Sequence, residues 1–233
     1  MRKSSSFYRE NGYQKMNGRY GDVIMFLIVT GVIAFGLVYI ADQFRPVFDT
    51  EGNIVSTGIP IIVTIMSLVS LAYNSGIYYS SQSLFIDISE DVEFMVIEKI
   101  KSGFINNYTR NFALYFLVNF FAFLWALLFV IPGIVKYYSY SMAIYLAIKE
   151  PDIKGTDAIT KSRKLMDGNK GDLFMLDLSY IGWYFLSILT FGILLLWVVP
   201  RHMTARTIFF NEVYQETLNQ NEVKKNILQE PLF

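Results

Sequence analysis

From Val23 to Ala41 the chain carries no charged side chain, and a second apolar block, Phe112 to Ile148, is interrupted only by Lys136. A helix rises about 1.5 Å per residue and needs about 20 apolar residues to cross a hydrocarbon core of roughly 30 Å. The first block fits one crossing. The second would be about 55 Å long as a single helix, so it must fold back on itself. A third block, Leu173 to Tyr214, would reach about 60 Å and must also reverse.

The reversals are expected where the backbone is easiest to break. In "VIPGI", Pro132 lacks a donor and Gly133 relaxes the chain; in "LTFGI", the turn falls around Gly192. Pro200 is a second candidate for the last break, or a kink within the final helix. Six spans follow, at about 23–41, 59–80, 112–131, 134–149, 173–190 and 193–214, arranged as three hairpins. Each second helix opens on Gly-Ile: Gly58-Ile59, Gly133-Ile134 and Gly192-Ile193. The fold class is therefore all-α, a polytopic membrane protein. Residues 1–214 form one six-helix domain and 215–233 a polar cytoplasmic tail. The apolar run after the basic N-terminus is longer than the roughly 7 to 15 residues of a signal-peptide core, so it reads as a retained first span.

Composition agrees. Hydrophobic residues make up 53% of the chain and charged ones 17%, against about a quarter charged in soluble domains. The 20 basic and 20 acidic residues cancel, so there is no one-signed field for nucleic acid. No cysteine and one histidine leave no thiolate or histidine metal cluster, no cysteine nucleophile and no implied cofactor.

Charge placement sets orientation. Putting both termini and the second and fourth loops on one side leaves only Arg45 and Lys136 opposite, with Arg201 and Arg206 inside the last span. By the positive-inside rule both termini are cytoplasmic, in a multi-pass plasma-membrane protein. The outer loop Asp42 to Thr57 is too small for a domain.

"MNGRYGDVIM" (16–25) and "MDGNKGDLFM" (166–175) share Met, Gly, Gly, Asp and Met at equal offsets. Both lie after a basic stretch and before a span, where a glycine turns the chain and Asp22 or Asp172 can cap a helix N-terminus. Amphipathic segments precede the later hairpins and are expected to lie at the interface. In "GTDAITKSRKLMDG", Thr156 caps and Ala158, Ile159, Ser162, Leu165 and Met166 share one face. In "SEDVEFMVIEKIKSG", Ser89 caps and acids fill the first turn. The corresponding N-terminal piece is Phe7 to Met16. Together these features suggest an internal repeat.

The stretches "VIPGIVKYYSYSMAIYLA", "DAITKSRKLMDGNKGDLF" and "LSYIGWYFLSILTFGILLLWVVP" resemble a family of small bacterial integral membrane proteins known as domain of unknown function 975. The likeness runs from about Gly18 to Tyr214. It implies a six-helix membrane fold and brings no established activity or catalytic residues. After Pro200 this chain carries Arg201 where the family pattern has an aromatic.

Asp177, Arg201, His202 and Arg206 are the ionisable groups expected inside spans, where an unpaired charge costs roughly 2.5 to 3.5 kcal/mol on insertion scales. They form a candidate intramembrane polar site. It reads either as an Asp177–Arg206 staple between packed helices or as a pocket for an anion, a lipid headgroup or a proton. Small residues at every fourth position, Ala72, Gly76 and Ser80, then Ser139, Ala143 and Ala147, mark packing faces. No nucleophile stands with a base. The expected function is that of a non-enzymatic accessory or scaffold. Its partners would be membrane lipids, another membrane protein or a second copy of the chain. The alternative is a small carrier or channel for an ion or solute.

Overall fold

A computed structural model of the chain describes residues 3–56, 58–128 and 130–229. Thr57, at the end of the expected outer loop, and Phe129, inside the expected third span, lie outside the described residues. So do the first two residues and the last four of the tail. The elements are α1 (Ser5–Met16), α2 (Tyr20–Asp42), β1 (Val47–Phe48), β2 (Ile54–Ser56), α3 (Pro60–Ser89), α4 (Val96–Ile105), α5 (Tyr108–Leu128), α6 (Val130–Tyr140), α7 (Ala143–Lys149), α8 (Gly155–Leu165), α9 (Lys170–Leu189) and α10 (Leu195–Gln229). The class is all-α apart from one small antiparallel hairpin, β1 with β2. Among the described residues, α2, α3 and α9 are long and apolar enough to cross a membrane.

The duplicated stretch builds the same corner twice. After α1, Gly18 takes φ +81°; after α8, Gly168 takes φ +78°. Only glycine adopts this left-handed conformation without steric cost, so it can end one helix and aim the next. Met16 and Met166 are fully buried just before the turn, and Val23 and Leu173 just after it. Asn107, at φ +50°, makes a third such corner between α4 and α5. Asp22 and Asp172 do not cap: the N-cap positions belong to Arg19 and Asn169, and each acid is the third residue of its helix. There it still faces the positive end of the helix dipole.

Three short helices each pack on another helix: α1 on α10, α4 on α3 and α8 on α6. On α10, α1 lies so close that a Cβ on Gly12 would stand 2.8 Å from the Arg201 carbonyl oxygen and 3.0 Å from the Ala205 Cβ. Farther along, Tyr8 meets Phe209 edge to face and donates to Glu212. On α3, α4 sits with Gly103 against the Gly76 carbonyl, while Ser80 donates to the Ile100 carbonyl at 3.0 Å. On α6, α8 is tied by Ser162 Oγ donating to the Ser139 carbonyl at 2.8 Å. Close approach of this kind needs small residues, because backbone contact supplies the attraction. Ala72 accepts from the Tyr108 hydroxyl through its carbonyl, and Ala143 and Ala147 are buried.

Several expected boundaries move. Ser89 ends α3 rather than capping α4, whose N-cap is Met95; Lys154, not Thr156, is the N-cap of α8. The face Ala158, Ile159, Ser162, Leu165 and Met166 is buried against protein rather than left free for lipid. Pro132 is the third residue of α6, where a missing N–H is harmless because first-turn donors have no intrahelical acceptor; between α5 and α6 lies only Phe129, outside the described residues. The expected helix 134–149 is split in two: α6 ends at Tyr140 and α7 begins at Ala143, with Ser141 Oγ donating to the Tyr138 carbonyl in the turn between them. The last reversal is at Thr190 to Leu194, with Gly192 at φ +85° and its N–H on the Ser187 carbonyl. Past it, α10 runs unbroken through Pro200 and on into the stretch read as a tail.

Burial separates two regions. A core unites Tyr8, Tyr145, Leu165, Met166, Leu173, Leu176 and Phe209 from α1 and α7 to α10. Beyond it the hairpin ends expose apolar side chains, most fully Phe191, which is 98% exposed. Water penalises such a surface, whereas acyl chains solvate it.

Candidate functional site

α9 presents Asp177, Tyr180 and Tyr184 on one face, since spacings of three and four residues bring side chains into line. α10 adds His202 and Arg206 at the same spacing, and α6 contributes Tyr137 and Tyr138. The three faces meet in a polar cluster. His202 Nε2 lies 2.7 Å from Asp177 Oδ1, and the Tyr138 hydroxyl donates to Asp177 Oδ2 at 2.9 Å. The Tyr184 hydroxyl lies 2.7 Å from His202 Nδ1. Tyr180 stacks on the imidazole with ring centres 4.5 Å apart. Arg206 approaches the same carboxylate, Nε to Oδ1 at 3.6 Å, and reaches the Tyr137 hydroxyl. His202, Arg206 and Asp177 keep side-chain exposures of only 8%, 12% and 17%.

One tautomer of His202 satisfies the whole cluster. With a neutral imidazole protonated on Nε2, that nitrogen donates to Asp177 while Nδ1 accepts from Tyr184. The carboxylate then carries one negative charge against the one positive charge of Arg206. Every polar atom of the chain Tyr138, Asp177, His202, Tyr184 is satisfied and the charges cancel, as a poorly solvated site requires.

Of the four expected site residues, Asp177, His202 and Arg206 come together, and His202 rather than Arg206 is the nearer partner of the carboxylate. Arg201 does not join them. One residue along a helix is a rotation of about 100°, so Arg201 points away, to the Tyr20 hydroxyl through Nε and over the Tyr13 ring at 4.5 Å. The tyrosines are the part sequence reasoning missed, because they read as interface residues; only the spacing of Asp177 from Tyr184 hinted at a shared face. Among the described residues no three His, Cys, Asp or Glu side chains stand together as metal ligands.

The cluster lies wholly on α6, α9 and α10, and that part of the chain has recognisable kin. Residues 129–217 match the family described as protein of unknown function (DUF975). The match takes in α6, α9, the first part of α10 and every member of the Asp177 cluster. It is shorter than the span from Gly18 suggested by the resemblance, leaving α1 to α5 outside. No curated protein and no solved structure matches the chain.

Proposed function

We propose that the chain is a plasma-membrane protein whose six helices enter the bilayer as three hairpins with both termini cytoplasmic, and that it acts without catalysis as an accessory or scaffold binding lipid. The similar corners at Gly18, Asn107 and Gly168 support reading the hairpins as an internal repeat. One observation carries the functional reading: the Asp177 cluster closes on itself. A carboxylate, an imidazole and a guanidinium that satisfy one another rigidify the α6–α9–α10 junction and leave no group free to act on a substrate. The apolar hairpin ends supply the surface on which lipid binds.

The carrier reading has one observation in its favour, the unbroken chain of exchangeable protons from Tyr138 through Asp177 and His202 to Tyr184. Protein purified from native membrane, analysed for bound lipid and reconstituted into liposomes, separates the two. Copurified lipid without flux of a panel of ions and solutes is the expected result. Proton or solute flux abolished by Asp177→Asn overturns the scaffold in favour of the carrier.

A further inference from the structure

A cavity of about 300 Å³ opens between α1 and the α9–α10 hairpin. Arg9, Glu10 and Tyr13 line it from α1, with Trp183 from α9 and Trp197 and Arg201 from α10. Tyr180 belongs to both sites, since it stacks on His202 and also faces this space. The cavity differs from the Asp177 cluster in one respect: its charges do not cancel.

Among the described residues neither Arg9 nor Arg201 makes an ion pair. Arg201 is half-buried and its guanidinium finds only neutral partners, the hydroxyl of Tyr20 and the ring faces of Tyr13 and Tyr20. Glu10 is the one acid lining the space, and it accepts from Gln14 at 3.1 Å. Two guanidinium groups against one carboxylate leave a single positive charge. Next to it the wall turns apolar, from Trp183 and Trp197 through Leu194 towards the exposed Phe191. Indole rings of this kind favour the depth where headgroups meet acyl chains.

A partly desolvated guanidinium with no counter-ion is costly, and an anion supplied from outside removes the cost. The planar fork of arginine matches phosphate oxygens two at a time. The volume sits at the lower end of the roughly 300 to 1,000 Å³ of small-molecule sites, enough for a headgroup and not for acyl chains. We propose that this cavity binds a singly charged phosphodiester, with Arg9 and Arg201 donating to the phosphate oxygens and Trp183 and Trp197 flanking the apolar remainder of the ligand. This rests on the reading of the chain as a lipid-binding membrane protein, and it names the class of lipid: one whose headgroup bears no compensating cation.

Trp183 and Trp197 are two of only three tryptophans, so fluorescence reports the site directly. The test uses the full chain with Trp125→Phe in detergent micelles, titrated with phosphatidylglycerol or phosphatidylcholine carrying brominated acyl chains. Phosphatidylglycerol should quench at about a tenfold lower mole fraction, the worth of one charge-assisted hydrogen bond. Arg9→Ala and Arg201→Ala should each erase that preference, Arg9→Lys should keep part of it, and Tyr20→Phe should leave it standing, since no charge is lost. Relief of quenching by soluble glycerophosphoglycerol assigns recognition to the headgroup alone; no relief assigns it to the whole lipid, and either keeps the proposal. Equal quenching by the two lipids, or a preference that survives in an Arg9→Ala protein with unaltered thermal unfolding, overturns the cavity assignment and leaves general lipid binding intact. Quenching by neither lipid overturns lipid binding itself.

Discussion

His202 meets Asp177 at 2.7 Å across the α9–α10 interface, with Arg206 one helical turn further on and 3.6 Å from the same carboxylate oxygen. His202 and Arg206 of α10 thus converge on a single acid of α9. This makes Asp177 the member of the cluster whose loss leaves most behind.

Asp177→Leu strands Arg206 without a carboxylate and removes the acceptor of Tyr138. Breaking a buried pair on one side costs about 3 to 5 kcal/mol, while replacing both partners by apolar groups is often close to neutral. Asp177→Leu alone should therefore lower the unfolding temperature strongly, and Asp177→Leu with Arg206→Leu should recover the part of the loss due to the stranded guanidinium, but not the part due to His202 and Tyr138. Thermal unfolding of the detergent-purified proteins checks this as a double-mutant cycle. Additive losses would mean that the two side chains are not coupled.

The helix–helix approaches make a second prediction. A Cβ on Gly103 would collide with the Gly76 carbonyl on α3, whereas one on Gly21 would meet nothing within 4 Å. Overpacking of this kind costs about 1 to 3 kcal/mol. Gly103→Ala should destabilise the protein by that order and Gly21→Ala should not, as read by unfolding temperature under identical detergent conditions.

The reach of sequence reasoning follows the same physics. Charges inside apolar runs are conspicuous because they are expensive, so Asp177, His202 and Arg206 are legible from sequence alone. Arg201 joins them there only through adjacency in the chain, and the 100° step of the helix sends it to Tyr13 and Tyr20 instead. Tyrosines carry no such signal: Tyr138 and Tyr184 look alike in a headgroup belt and in a hydrogen-bonded core. The glycine corners at Gly18 and Gly168 are legible as paired motifs, since φ above zero leaves few residue choices. The split after Tyr140 is not, because Ser141 bonds the carbonyl three residues back just as Ser75 and Ser179 do inside intact helices, and nothing in the local pattern marks it.

The chain has no cysteine, so single cysteines report topology without background. With an impermeant maleimide added to intact cells, Glu51→Cys in the β-hairpin loop should label at once. Arg163→Cys on the exposed side of α8 should label only after permeabilisation. Phe191→Cys should label slowly from either side, because the residues around it, Leu189 and Ile193, are apolar and as exposed as lipid-facing groups are. Rapid labelling of Phe191→Cys from outside would place that hairpin end in water.

The β1–β2 loop carries a pH dependence whose sign can be worked out. Asp49 Oδ1 accepts from the Asn53 backbone N–H at 2.7 Å and from that of Glu51 at 2.9 Å, and Oδ2 takes the Asn53 side-chain amide. These donors, the Asn53 backbone first, hold the carboxyl below its ordinary value of 3.8. A group whose folded value is depressed stabilises the fold above its unfolded value and stops doing so as pH falls through the folded one. The β1–β2 turn should therefore be unchanged from neutrality down to about pH 4 and loosen below it. The backbone amide of Asn53 should move upfield and lose protection, relative to the unfolded chain, over that range, and Asp49→Ala should show the loosened values at every pH. A midpoint above 3.8 would mean that the turn donors do not hold the ionised carboxylate.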